Sequence, residues 1–355
     1  MEPGNLIPAA DAIPIAVGWF RLLLLAGFTL HLLAMNAMLG GGVMALVLSL
    51  KDGGQAPPAE HDLAQKIPFA VALTVNLGVP PLLFLQVLYG NLIYVSAVLM
   101  AVWWLAIFLL AMAAYYAAYV YDFKFAALGR ARSLVIGLGV LCLLAVGFIF
   151  SNSLSLMLKP STWTVYFSNP HGTFWNTAEP TLWPRYLHFV LGSLAVGGLG
   201  LALLGAWRNR RGNPQGRGLI RLGVSWFIWA SLAQMADGLW FLLSLPREIM
   251  LLFLGGSAAH TSLLWLGAAL GVVALVLASK GRVGPAVGAT LATLVLMVIT
   301  RDLLREAYLR PYFSPESLPV TGQASPALAF LVALVIGSAL IFWLLRLAAG
   351  AGKES

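Results

Sequence analysis

Apolar residues in this chain come in long runs, interrupted by short clusters of charge, glycine and proline. A helix needs about 20 apolar residues to cross a bilayer. Runs of that order predict nine helices, at roughly 15–49, 67–90, 93–121, 133–157, 183–207, 219–244, 248–279, 283–300 and 327–348. Pro68, Pro80 and Pro81 fall in the second run, and the Pro80-Pro81 pair predicts a kink or break there. Gly40-Gly41-Gly42 and Gly197-Gly198 predict close approach between helices, or room for a flat ligand against the backbone. With no internal repeat, low-complexity segment or long linker, the pattern reads as one all-α membrane bundle over residues 1–355.

Composition agrees. Of 355 residues 60% are hydrophobic and 10% charged, with mean hydropathy +0.89, where a soluble domain is nearer half apolar and a quarter charged. The net charge of +8 could suggest nucleic acid, but its distribution fits membrane topology better. Fourteen of the 21 Lys and Arg residues fall in or beside 50–66, 122–132, 208–218, 280–282 and the tail, leaving seven for the alternate side. The positive-inside bias puts the N-terminus outside and, after nine spans, the C-terminus in the cytoplasm. The expected location is the inner (cytoplasmic) membrane. The opening MEPGNLIPAADAIP lacks a basic stretch ahead of an apolar core, so no cleaved signal peptide is expected. Cys142 is the sole cysteine, and no C-x-x-C-H attaches a c-type haem.

Ionisable groups inside spans are costly and carry the candidate chemistry. His61 falls in an inside loop and His171 in a long outer loop, where water solvates them. His31, His188 and His260 fall within spans. A single such histidine is satisfied by a backbone carbonyl, but three in one charge-poor bundle point to metal ligation, and haem iron takes His or Met. His188, one turn after Arg185, is the central candidate. Counted along the predicted helices, His188 lies about 8 Å from the outer boundary, level with Met250 and just below Arg247. His31 lies about 15 Å below Arg21, and His260 about 16 Å below the start of its predicted helix. This gives an outer level (His188 with Met250) and a deeper one (His31 with His260). Asp237 and Gln234, one turn apart in the sixth span, read as a proton relay, as partners of a cofactor, or as a pairing with a neighbouring helix. RDLLREAYLRPYF, from Arg301, reads as an interfacial helix with internal charge pairs or as a platform for haem propionates or a quinone head group.

Four stretches, over roughly the first 210 residues, carry a resemblance to subunit I of the cytochrome bd quinol oxidases. RLLLLAGFTLH sets Arg21 ten residues before His31, as in the family's first span, whose His binds the high-spin haem b. LLFLQVLYGNLIYVSAVLMA is similar to the family's FQFGTNW region. FIFSNSLSLMLKP is similar to ANxWMQxP, with Asn152 and Pro160 in register. RYLHFVLGSLAVGGLGLALLGAW is similar to the fifth span, whose His ligates the low-spin haem b, which implies that role for His188. Beyond residue 210 the likeness thins. Arg247 and Met250 are similar to the family's Arg-x-Met, with one residue more between them. Positions of the family's haem d glutamates align with Ala97 and Leu105, and its long quinol loop is reduced to Leu245-Pro246-Arg247.

The resemblance implies a haem b scaffold. The reading that follows is two haems b, quinone as substrate, and a c-type cytochrome or second membrane subunit as partner, with no nucleic acid. Its site residues are His31, His188, His260, Met250, Arg21, Arg185 and Arg247. The expected activity is electron transfer between the quinone pool and the partner. The alternatives are a quinol:oxygen oxidoreductase with other ligands, and a haem-free proton-coupled transporter.

Overall fold

The computed structural model describes residues 3–51 and 57–351; residues 1–2, 52–56 and 352–355 lie outside the described residues. Eleven helices follow one another: α1 Val17–Lys51, α2 Pro58–Leu99, α3 Ala101–Phe123, α4 Phe125–Leu128, α5 Arg132–Met157, α6 Leu182–Arg210, α7 Gly216–Leu243, α8 Arg247–Leu251, α9 Ala258–Ser279, α10 Val283–Leu309 and α11 Ser325–Ala351. Nine spans among the described residues are long and apolar enough to cross a membrane. In lipid every backbone group must be satisfied internally, which is why so apolar a chain folds into helices throughout. The long spans alternate in direction. One end of the bundle gathers the 158–181 segment and the last turns of α10 (the histidine end), and the other gathers Arg130, Arg208 and Lys280 (the basic end).

The two glycine clusters set the spacing at the centre. A Cβ on Gly40 would stand 2.0 Å from the Ser193 carbonyl oxygen, and one on Gly197 would stand 2.8 Å from the Gly40 Cα. Helices α1 and α6 therefore cross backbone to backbone, as small residues permit in membranes. Helix α7 lies equally close to α6, with the Gly223 position 2.4 Å from the Gly198 oxygen. Two further contacts tie distant parts of the chain at the histidine end. The Ile13 N–H donates to the Pro319 oxygen (2.8 Å), and the Thr321 N–H to the Ile13 oxygen (2.9 Å).

Four expectations need correction. Pro80-Pro81 does not end a helix: α2 runs through it, with the Pro81 ring packed at the position of Gly27. The departure from helical geometry lies at Tyr89 (φ −136°, ψ 26°), and the break between the second and third spans lies at Met100. Ala97 and Leu105 thus sit on two different helices, and Leu105 is exposed on the outside of the bundle. The seventh span does not begin at residue 248. Helix α8 and a wide turn at Leu252–Gly256, with Gly255 at φ 115°, come first, so His260 stands at the head of α9 rather than about 16 Å down its helix. Residues 301–309 are no separate surface helix; they complete α10, with Asp302 and Arg305 buried. Finally, α2 starts early enough to carry Glu60 into the core, where the Tyr121 hydroxyl donates to it (2.9 Å).

Candidate functional site

Helices α1 and α6 run in the same direction, and their crossing fixes the relative height of their histidines. His31 is nine residues before Gly40, and His188 is nine residues before Gly197 (40 − 31 and 197 − 188). Both imidazoles therefore stand about 13 Å from the crossing, toward the same end. The two levels expected from sequence collapse into one, because the two helices start at different heights.

Each ring rests on a glycine of the neighbouring helix. A Cβ on Gly78 of α2 would lie 2.8 Å from His31 Cε1, and one on Gly238 of α7 would lie 3.4 Å from His188 Cε1. Each ring is also anchored through Nδ1. His31 Nδ1 meets the Thr74 carbonyl at 3.1 Å. A carbonyl can only accept, so Nδ1 carries the proton and the neutral ring keeps its lone pair on Nε2. His188 Nδ1 meets Asp237 Oδ2 at 3.1 Å, a pairing of α6 with α7 that has the same consequence. On its other side the Gln234 amide is 3.3 Å from His188 Nε2, and donates to it. Asp237 and Gln234 are thus both partners of His188, one per ring nitrogen.

Three arginines stand closer to that end of the bundle. Arg185, Arg301 and Arg305 border a small gap of about 20 Å³ together with Leu85, Leu154 and Met157. Arg305 faces Asp302 at 3.1 Å, and its Nη1 has no hydrogen-bond partner. Arg185 is buried, and its Nε has none either. Neither Arg185 nor Arg301 forms an ion pair among the described residues; Arg301 lies 4.6 Å over the Phe28 ring and Arg185 5.4 Å over Phe241. Arg21 is compensated, by Asp302 (2.7 Å), by Glu306 and by Glu316 (3.6 Å). Uncompensated buried guanidinium is expensive, so this corner suits an anion.

The segment 158–181 closes the same end. Asn152 Oδ1 accepts from the Asn176 N–H (2.7 Å), and Trp163 Nε1 donates to the Leu156 carbonyl (3.0 Å). Burial alone would raise the Glu179 carboxyl, but bonds from Lys159 (2.7 Å) and Thr181 (2.9 Å) hold it below the usual carboxylate range.

The remaining candidates have other neighbours. Met250 packs among Leu245, Phe253 and Leu304, His260 pairs with the Ser257 hydroxyl (2.8 Å), and Arg247 is exposed. Among the described residues no group of three or more His, Cys, Asp or Glu side chains gathers as a metal cluster. Sequence reasoning missed that Arg185 and Arg301 form no ion pair; beside Arg301 the neighbouring Asp302 and Glu306 pointed the other way.

No known protein family and no curated protein matches this chain. Among solved structures, the bd oxidase from Geobacillus thermodenitrificans is similar in fold at TM-score 0.68 and 15% identity, covering 92% of this chain and 96% of that one. The fold likeness therefore continues past residue 210, where the likeness in sequence thins. Nine apolar helices arranged in this way make the chain a multi-pass membrane protein with the fold of a bd oxidase.

Proposed function

We propose that the chain is a haem b-binding electron-transfer subunit that moves electrons between the quinone pool and a redox partner at its histidine end. One observation carries the reading: two imidazoles at a common depth, each laid on a glycine and pinned through Nδ1, near the buried Arg185 and Arg305, each with a guanidinium N–H that has no hydrogen-bond partner. His31 and His188 would each present Nε2 to iron, and Arg185, Arg301 and Arg305 would take the propionates. The haem, when bound, supplies reversible one-electron chemistry.

The protein's own groups do the rest. Asp237 holds the His188 ring in the tautomer that frees Nε2, the arrangement that orients metal-ligating histidines. Gln234 has to yield that nitrogen to the metal. Leu32, Phe189 and Val298 close the seam between α1, α6 and α10 and keep water from it. The ligand and anion groups fit a haem, whereas the gap of about 20 Å³ beside Arg185, Arg301 and Arg305 is smaller than a porphyrin.

A reduced-minus-oxidised spectrum of the purified protein tests the reading. Haem b α-bands that lose their low-spin component in His188→Ala support it. A chlorin band favours a quinol:oxygen oxidoreductase instead. Absence of haem favours a proton-coupled transporter, for which the hydrogen-bonded series Asp237, His188 and Gln234 is the supporting observation.

A further inference from the structure

At the basic end a cleft of about 540 Å³ opens between the start of α2 and the turn joining α6 to α7. His61, Asp62, Trp207, Arg208 and Arg211 line it. Asp62 grips Arg208 through both carboxylate oxygens, one at 2.7 Å from Nη2, so Arg208 is fixed and compensated. Arg211 is different. Its guanidinium lies 4.1 Å over the Trp207 ring, and it forms no ion pair among the described residues. The cleft thus holds two guanidiniums against one carboxylate, with the exposed imidazole of His61 beside them.

The surface leading away from the cleft turns apolar on both walls. On α6, Leu203 (45% exposed) and Trp207 (50% exposed) precede Arg211 at one-turn spacing. On α2 the exposed Gln65 and Lys66 come first, and Phe69 (76% exposed) and Leu73 (53% exposed) then continue the one-turn row that starts at His61. A cationic head above an apolar slope is complementary to an amphiphile with a negative head. A free anion would use only the head.

We propose that this cleft binds an anionic phospholipid, its phosphate on Arg211 and Arg208 and its acyl chains along Leu203 and Phe69. Arginine recognises phosphate by paired hydrogen bonds, tryptophan seats at the membrane interface, and basic pockets between membrane helices select acidic head groups. The site is independent of any haem.

The test uses the purified full chain, stripped of lipid and titrated with phosphatidylglycerol, phosphatidylcholine or inorganic phosphate, with bound lipid counted by native mass spectrometry. Saturable binding of phosphatidylglycerol, not matched by phosphatidylcholine or phosphate, is expected. Arg211→Ala, at an exposed position that leaves the fold intact, should weaken it about tenfold, the scale of one charge-assisted hydrogen bond. Arg210→Ala, exposed on the same turn but outside the cleft, should leave it unchanged. Equal binding of both lipids, competition by inorganic phosphate at matched concentration, or equal losses in the two variants would each overturn the assignment.

Discussion

The α1–α6 crossing makes a prediction whose sign changes within one helix system. In Gly40→Ala the new methyl would stand 2.0 Å from the Ser193 oxygen and 3.0 Å from the Gly197 Cα. Both obstacles are backbone, so no side chain can turn away. An ordinary contact needs about 3.4 Å, so the helices must separate by roughly 1.4 Å at the crossing. Overpacking of this kind costs about 1–3 kcal/mol. At about 2 °C per kcal/mol, the lower figure for larger chains, the melting midpoint should fall by roughly 2–6 °C. Gly200→Ala is the matched control, with nothing within 4 Å of its new methyl. There the substitution should be neutral, or stabilising by up to about 1 kcal/mol, because a helical glycine gives way to a better helix former. The assay is a thermal scan of both variants in one detergent at one heating rate, since membrane proteins often unfold irreversibly. Equal shifts in the two variants would refute the backbone-contact reasoning.

Three further expectations follow from the same geometry. Asp302→Asn strands the buried Arg305, and should cost about 3–5 kcal/mol in a thermal scan; Glu316→Gln, on a carboxylate 60% exposed, should cost well under 1 kcal/mol. Glu179 has a depressed folded pKa, so its contribution is present above the unfolded value near 4.5 and is lost as pH falls through the folded one. Lys159→Met should therefore flatten the acid limb of the stability profile below about pH 4.5, and an unchanged limb counts against the Lys159–Glu179 bond. Oxygen uptake with a reduced quinol analogue should be absent, because α3 carries no acid on its course through the bundle before Asp122; sustained turnover would promote the oxidase reading.

The spans were legible because twenty apolar residues have few folds open to them in lipid. Their ends were less so. Asp302 and Glu306 look like surface residues when counted as charges, yet they finish α10 because Arg21, far back in the chain, pairs with both, which no local pattern reveals. Gly255-Gly256 looks like two more small residues in a span; only its positive φ shows that the helix restarts and carries His260 to the head of α9. The His188–Asp237 pair could be suspected from two intramembrane ionisable groups, but their meeting depends on the closeness of α6 and α7. The common height of His31 and His188 was hidden for a simpler reason: depth had been counted from each helix's own start, and only the glycine crossing supplies a shared origin.

The contacts that tie the beginning of the chain to its later part also set an order of assembly. Arg21 finds Asp302 across 281 residues, and Ile13 finds Thr321 across 308. A ribosome adds about 5–20 residues per second, so roughly 15–55 s separate the synthesis of Arg21 from that of its partner. Throughout that interval α1 must wait in the membrane with its cation among the lipid head groups. α1 can pack on α2 and α6 as soon as those helices are made, but the histidine end closes only when the eighth span brings Asp302 to Arg21.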